Sequence, residues 1–162
     1  MSLLEDTLAR IKPADDIEAM LVAEELDEFF PARHASAIRS LMMRYIRATG
    51  ESDPWSLKPC TIICCADHGV AAQGVSAYPP ETTVQMTANY LLAQGAAANA
   101  FAGFSGSDLL VVDMGIAADT TGIPGLVRHY RIAAGTRDMT QGAAMTRAQA
   151  RAAVETGIKL AD

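Results

Sequence analysis

Two carboxylates stand where two apolar runs stop. The run CTIICCA gives way to Asp67-His68-Gly69, and the run LLVV (109–112) to Asp113-Met114-Gly115. If both runs are strands of one parallel sheet, their ends share the edge at which such sheets bind ligands. Two carboxylates placed there can orient a cation, a sugar hydroxyl or a ring N–H. Each can equally cap its own following turn through the backbone. His68 directly follows the first run and precedes Gly69, a residue that lets other backbone approach closely. A loop histidine can act as acid, base or ligand near neutral pH, or can simply bond the turn. The next stretch, Gly74-Val75-Ser76-Ala77-Tyr78-Pro79-Pro80-Glu81, joins a flexible glycine, small residues, an aromatic and two prolines. Tyr78 can stack on a flat ring, Ser76 can donate a hydrogen bond, and the helix start after Pro80 offers N–H groups to an anion. Gln85 and Met86 lie one turn into that helix and can reach the same space, although a methionine there also suits a core. The plain alternative is a loop-to-helix connection with a hydrophobic lid.

Other chemistries lack their residues. Gly103-x-x-Gly106 precedes a strand instead of following one, so it is no dinucleotide fingerprint, and neither a phosphate-binding Gly-x-x-x-x-Gly-Lys-Ser/Thr loop nor a Gly-x-Ser-x-Gly elbow occurs. Gly135-Thr136-Arg137 reads as a plain turn before it reads as a phosphate site. His34 and His129 acquire no role, and no second ligand stands at a usable spacing, so no metal is expected. The three cysteines, Cys60, Cys64 and Cys65, fall in one apolar stretch. They read as buried thiols in a reducing compartment. In 162 residues, 19 acidic side chains against 13 basic ones leave a charge of -6. That balance, without any run of Lys or Arg, excludes a protein built to coat nucleic acid. The amino terminus carries acids where a signal peptide carries bases, and no apolar run nears the roughly 18 residues that span a bilayer. The expectation is an untargeted, cytoplasmic protein with no membrane partner.

The elements that must position these residues follow from the same letters. Residues 1–50 read as a helical segment. Ser2 can cap a helix with Leu4, Leu8 and Ile11 on one face, ended by Pro13. Asp15 or Asp16 can cap a second, with Ile17, Met20, Leu21 and Phe29 inward, stopped at Pro31. A third has Ile38, Leu41, Met42, Tyr45 and Ile46 at i, i+3, i+4, i+7 and i+8, with Arg39, Arg44 and Arg47 on a solvated face. Gly50 through Pro54 reads as a loop, and residues 51–162 as an α/β ligand-binding domain. There CTIICCA has the continuous β-branched composition of a parallel strand apolar on both faces. A helix from about Pro80 to Gln94, closed by Gly95, and an alanine-rich helix from Ala96 to Phe104 separate it from the second strand, Leu109 to Val112. Two such strands make a crossover in a parallel sheet with covered faces. Val127 to Ile132 reads as a third, more polar strand. Thr146 with Gln149 forms a capping box opening a last helix with Ala150, Val154, Ile158 and Ala161 on one face.

Several blocks carry a resemblance. The run Ala66-Asp67-His68-Gly69-Val70-Ala71-Ala72-Gln73-Gly74-Val75-Ser76-Ala77-Tyr78-Pro79, then Thr83-Val84-Gln85-Met86 and Asn89-Tyr90-Leu91, closely resembles the nicotinate-nucleotide:dimethylbenzimidazole phosphoribosyltransferase family. The likeness continues through Val111 to Ile116, Arg131-Ile132, Gly135 to Met139 and Ala143 to Thr146, covering about residues 58 to 162. It implies an α/β fold, a three-layer parallel sheet (Rossmann-like) preceded by a small helical segment, in a homodimer. It implies transfer of phosphoribose from nicotinate mononucleotide to 5,6-dimethylbenzimidazole in cobalamin lower-ligand assembly, without a cofactor or metal. Asp67, His68, Ser76, Tyr78, Gln85, Met86 and Asp113 become substrate-binding residues, with the Tyr78 loop and the Gln85–Met86 helix lining the benzimidazole pocket. Family members are about twice this length, and the half without a counterpart here carries the nucleotide-binding glycines and the glutamate base. The family's early Lys-Pro-x-Gly-Ser-Leu-Gly loop is replaced by Phe30-Pro31-Ala32-Arg33-His34-Ala35-Ser36.

The chain therefore reads as a short member of that family, or its amino-terminal half, built for phosphoribosyl transfer but incomplete for catalysis alone. In-line transfer needs ribose, phosphate and an activated nucleophile held together. A rival reading is a non-catalytic benzimidazole-binding or regulatory subunit, or one half of a split enzyme with a complementing second chain. An uncovered sheet edge would suit the latter. An unrelated hydrolase using Asp67 and His68 ranks last, because no nucleophile stands beside them.

Overall fold

A computed structural model describes residues 2–14, 16–29, 36–51 and 58–162. The chain divides into two compact units, Glu5–Leu57 and Met1–Leu4 with Lys58–Asp162. Asp15, Pro31, His34, residues 52–54 of the expected boundary loop and the side chain of Phe29 lie outside what is described.

Three helices come first: α1 (Leu3–Arg10), α2 (Asp16–Phe29) and α3 (Ser36–Thr49). α1 starts directly after Ser2 but stops at Arg10, leaving Ile11 outside it and exposed. The core of the helical unit is Ala19, Val22 and Ile46, with Met42, Met43 and Tyr45 against it. On α3 the expected Met42, Tyr45 and Ile46 turn inward but Ile38 and Leu41 are exposed, and on α2 the expected Ile17, Met20 and Leu21 are all exposed. α2 is apolar nearly all round from residue 19 to 23, so spacing alone singles out no face, and the pair closes over the small side chains. Arg47 is not merely solvated, since it pairs with Asp16 at the start of α2. Both partners are exposed, so the pair contributes little. Gly50 adopts φ +70° and its N–H bonds the Ile46 carbonyl, ending α3 in a left-handed cap.

The second unit is α/β. Strand β1 (Cys60–Ala66) pairs in parallel with β2 (Asp108–Gly115), in register from Cys60 opposite Asp108 to Cys65 opposite Asp113. Between them run α4 (Glu81–Ala88), continued by one wider π turn (Asn89–Ala93), and α5 (Ala97–Ser105). Gln94, not Gly95, takes the left-handed position that ends the π turn, at φ 52°. Asn89 makes this possible: its carbonyl accepts the Gln94 N–H and its side chain accepts that of Gly95. The core comprises Cys65, Val111, Ile116, Ile123 and Leu126, flanked by Ile63, Val84 and Leu91.

Three expectations change here. β1 is apolar on both faces but covered on one, for Cys60, Ile62 and Cys64 are exposed while Cys65 is buried. Cys60 and Cys64 are therefore surface groups, while burial pushes the Cys65 thiol up, against a lowering hydrogen bond from Thr87. The third strand shrinks to one parallel bridge, Val127 to Val112. A turn closed by the Arg131 N–H on the Arg128 carbonyl replaces the rest. Helix α6 (Arg147–Ala161) opens on the expected Thr146–Gln149 box, with both reciprocal bonds made. Of the expected face Ala150 and Ile158 are half-buried, whereas Val154 and Ala161 are exposed; Ala153, Thr156 and Leu160 also turn inward. Alanines on every side of α6 leave its apolar face undetermined by spacing.

Candidate functional site

The site is held together by backbone passing close to backbone. Asp67 donates its N–H to the Gly115 carbonyl at 2.9 Å, and its own carbonyl accepts the Thr136 N–H at 3.0 Å. Gly69 donates to the Thr136 carbonyl at 3.1 Å. A Cβ at Gly69 would stand 2.5 Å from the Asp138 nitrogen and 2.6 Å from the Arg137 carbonyl carbon, so only glycine fits. Gly135 adopts φ +81° where it turns beside Asp67. Side chains reinforce the closure. Gln73 Nε2 donates to Asp138 Oδ2 at 2.7 Å, and the other Asp138 oxygen accepts from the Thr140 N–H and hydroxyl. The Thr140 N–H, then Gln73 and the Thr140 hydroxyl, hold the Asp138 carboxyl below its ordinary range. Asp119 is likewise lowered, by the Thr121 N–H first and its hydroxyl second.

Two cavities open at the carboxyl ends of the strands, and Ala66, Asp67 and His68 line both. The larger, about 490 Å³, is closed by Met114, Ile132, Thr136, Arg137, Met145 and Gln149 among others. The smaller, about 430 Å³, is closed by Ser76, Tyr78, Pro80, Thr83 and Met86 with neighbouring residues. Both have the size of small-molecule sites. Five of the seven residues singled out from sequence thus meet at one wall. Asp67 Oδ2 accepts the Ala117 N–H at 2.7 Å, which fixes the carboxylate, and His68 is exposed beside it. Tyr78 is 71% exposed, and Ser76 Oγ accepts the Tyr78 N–H. Met86 faces the same cavity from α4.

The other two lie apart from it. Gln85 is exposed on α4 and lines neither cavity. Asp113 is fully buried and lines neither; its oxygens accept from the Ile116 N–H at 2.8 Å and the Thr120 hydroxyl at 3.0 Å. Arg131 stands 3.8 Å away and also donates to the Ile116 carbonyl. Asp113 therefore knots the turn after β2. The wall formed by Met114, Ile132 and Ala153 carried no spacing signal, and Thr146 and Gln149 were legible only as a cap. Among the described residues no group of three or more His, Cys, Asp or Glu could hold a metal ion. No helix described is long and apolar enough to cross a membrane.

The unit is of the parallel α/β class, with two cavities of small-molecule size at its strand ends. A family model described as Phosphoribosyltransferase matches residues 12–162. The nicotinate-nucleotide–dimethylbenzimidazole phosphoribosyltransferases of Geobacter metallireducens and Chloroflexus aggregans are 41% and 42% identical over 99% and 100% of this chain. The crystal structure of CobT from Thermus thermophilus superposes with a TM-score of 0.73 at 34% identity, over 90% of this chain and 42% of that one. The chain belongs to the nicotinate-nucleotide:dimethylbenzimidazole phosphoribosyltransferase family. It spans just under half the length of the Geobacter and Chloroflexus relatives, 45% and 46%, in their amino-terminal part.

Proposed function

We propose that this chain supplies the benzimidazole-binding wall of a phosphoribosyltransferase that moves phosphoribose from nicotinate mononucleotide to 5,6-dimethylbenzimidazole. The observation that carries the reading is the cavity of about 430 Å³ lined by Tyr78, Met86, Ser76, Asp67 and His68, in a chain 41–42% identical to enzymes named for that reaction. A flat, largely apolar base suits an aromatic and a thioether as neighbours. In the transfer, a ring nitrogen of the base bonds to C1′ of the ribose and the C1′–nicotinate nitrogen bond breaks. Nicotinate leaves with that electron pair, and the other ring N–H gives up its proton to a base. No residue of this chain is assigned as that base. Asp67, anchored through Oδ2 on the Ala117 amide, faces both cavities. In this reading it orients the ring N–H or a ribose hydroxyl at their junction, with His68 beside it. The same reading has the protein working in the cytoplasm, as a homodimer or with a complementing second chain.

Titration calorimetry with 5,6-dimethylbenzimidazole tests the pocket, and nicotinate release from nicotinate mononucleotide tests turnover. Tyr78→Ala and Met86→Ala are each expected to weaken base binding by roughly 3- to 10-fold, from about 0.5–1.5 kcal/mol per aromatic or thioether contact. Base binding untouched by both substitutions would overturn the reading. Binding without turnover would favour the regulatory subunit or the split enzyme over a chain active alone.

A further inference from the structure

The wall of the smaller cavity is braced from a residue outside it. π turns inside α-helices are rare and cluster at functional sites. The turn Asn89–Ala93 ends on Gln94, the one non-glycine residue among those described with a positive φ, a conformation that a residue with a Cβ rarely adopts. Both features meet at Asn89. Its carbonyl accepts the Gln94 N–H at 2.7 Å, and its side-chain Oδ1 accepts the Gly95 N–H at 3.3 Å. A Cβ on Gly95 would stand 3.0 Å from that Oδ1, so the glycine leaves room for the amide. The carbonyl of the next residue, Tyr90, accepts from Asn99 Nδ2 at 2.9 Å. The Asn89 side chain is therefore held by its oxygen. Its nitrogen, Nδ2, donates to the sulfur of Met86 at 4.0 Å, three residues earlier on the same helix face. Asn89 lines neither cavity, whereas Met86 lines the smaller one and is 36% exposed.

We propose that Asn89 is a positioning residue for the base pocket: its amide, anchored by the π turn, pins the Met86 thioether in the wall on which the flat base packs. This rests on the functional reading above. A methionine side chain has three rotatable bonds and adapts to whatever it touches, so a free one loses rotamers when a base packs on it. An N–H given to the sulfur removes part of that freedom before the base arrives. The anchor matters because an asparagine this exposed would otherwise turn its amide to water. The π turn and the Gly95 N–H keep it aimed along the helix at position 86.

The test separates the two ends of the amide. Asn89→Asp keeps an oxygen for the Gly95 N–H and removes the N–H that reaches the sulfur, whereas Met86→Leu keeps most of the bulk and removes the sulfur. Calorimetry with 5,6-dimethylbenzimidazole on the chain, both single variants and the double variant closes a cycle. Asn89→Asp is expected to weaken base binding about 4-fold with Met86 present and less than about 1.5-fold with Leu in its place. An equal loss in both backgrounds makes Asn89 a helix cap alone and overturns the proposal, as does no loss in either. Should Asn89→Asp fail to fold, Gly95→Ala crowds the same Oδ1 from the other side, and the same two backgrounds decide. In protein with labelled methionine methyls and no ligand, Asn89→Asp should move the Met86 resonance, assigned through Met86→Leu, by more than its linewidth. An unmoved resonance overturns the pinning whether or not a base binds. A chain that binds no base at all removes the functional reading itself, an outcome the variants cannot imitate.

Discussion

Replacing Gly69 by alanine strikes the contact that shapes both cavities. The added Cβ would stand 2.5, 2.6 and 2.8 Å from backbone atoms of Asp138, Arg137 and Thr136, against ordinary contacts of 3.4–4 Å. None of these atoms ends a flexible side chain, so the segment after β1 and the 136–138 loop must part by about 1 Å. The Gly69 to Thr136 hydrogen bond, now 3.1 Å, then stretches beyond bonding range. Overpacking of this kind costs about 1–3 kcal/mol and the lost bond about 0.5–1.5 kcal/mol, for a total near 3 kcal/mol. For a chain of this size that lowers the melting temperature by about 6–12 °C. Circular dichroism melts would measure it, with hydrogen exchange at 136–138 assigning the loss to the α/β unit, since two units need not melt together. Gly122→Ala is the control, having no heavy atom within 4 Å of its Cβ and no left-handed φ. If Gly69→Ala melts within about 1 °C of Gly122→Ala, the close approach is not what holds the site together.

Other outcomes follow from single features. Gly157 lies inside α6 with open space around a Cβ, so Gly157→Ala should stabilise by about 0.5–1 kcal/mol in denaturant unfolding. Asp113→Ala should destabilise by about 2–5 kcal/mol, because the Ile116 N–H and Thr120 hydroxyl lose their buried acceptor; the same unfolding assay measures it. The Asp138 carboxyl sits below its ordinary value of 3.8, so its contribution is fully present above that value and disappears as pH falls through the lower folded value. The Gln73 side-chain amide resonances should move in that acid range, and Asp138→Asn should abolish the movement. A disulfide reagent should label Cys60 and Cys64 in the folded protein and Cys65 only on unfolding, since Cys65 is buried with its thiol pushed up.

The parts of this protein legible in its sequence are those where one residue type has one physical use. CTIICCA and LLVV have no charged interruption and stop at a carboxylate, so both strands and the parallel sheet could be read. Thr146 with Gln149 can do little at that spacing except cap a helix, and they do. The faces of α2 and α6 were not legible, because alanine and large apolar residues on all sides leave the choice to whatever packs against them. The open side of β1 was hidden for a related reason: a strand apolar on both faces does not say which of them the rest of the chain covers. Asp67 and Asp113 make the limit sharpest. Both are aspartates at the end of a parallel strand, two residues before a glycine, as Asp67-His68-Gly69 and Asp113-Met114-Gly115. What separates them is distant in the chain. Thr120 and Arg131, seven and eighteen residues further on, turn Asp113 into a buried knot. Gly69 and Gly135 instead let the 135–138 loop cross beside Asp67, which keeps that carboxylate at the junction of two cavities. Fixing it there requires only small residues elsewhere, and small residues announce nothing by themselves.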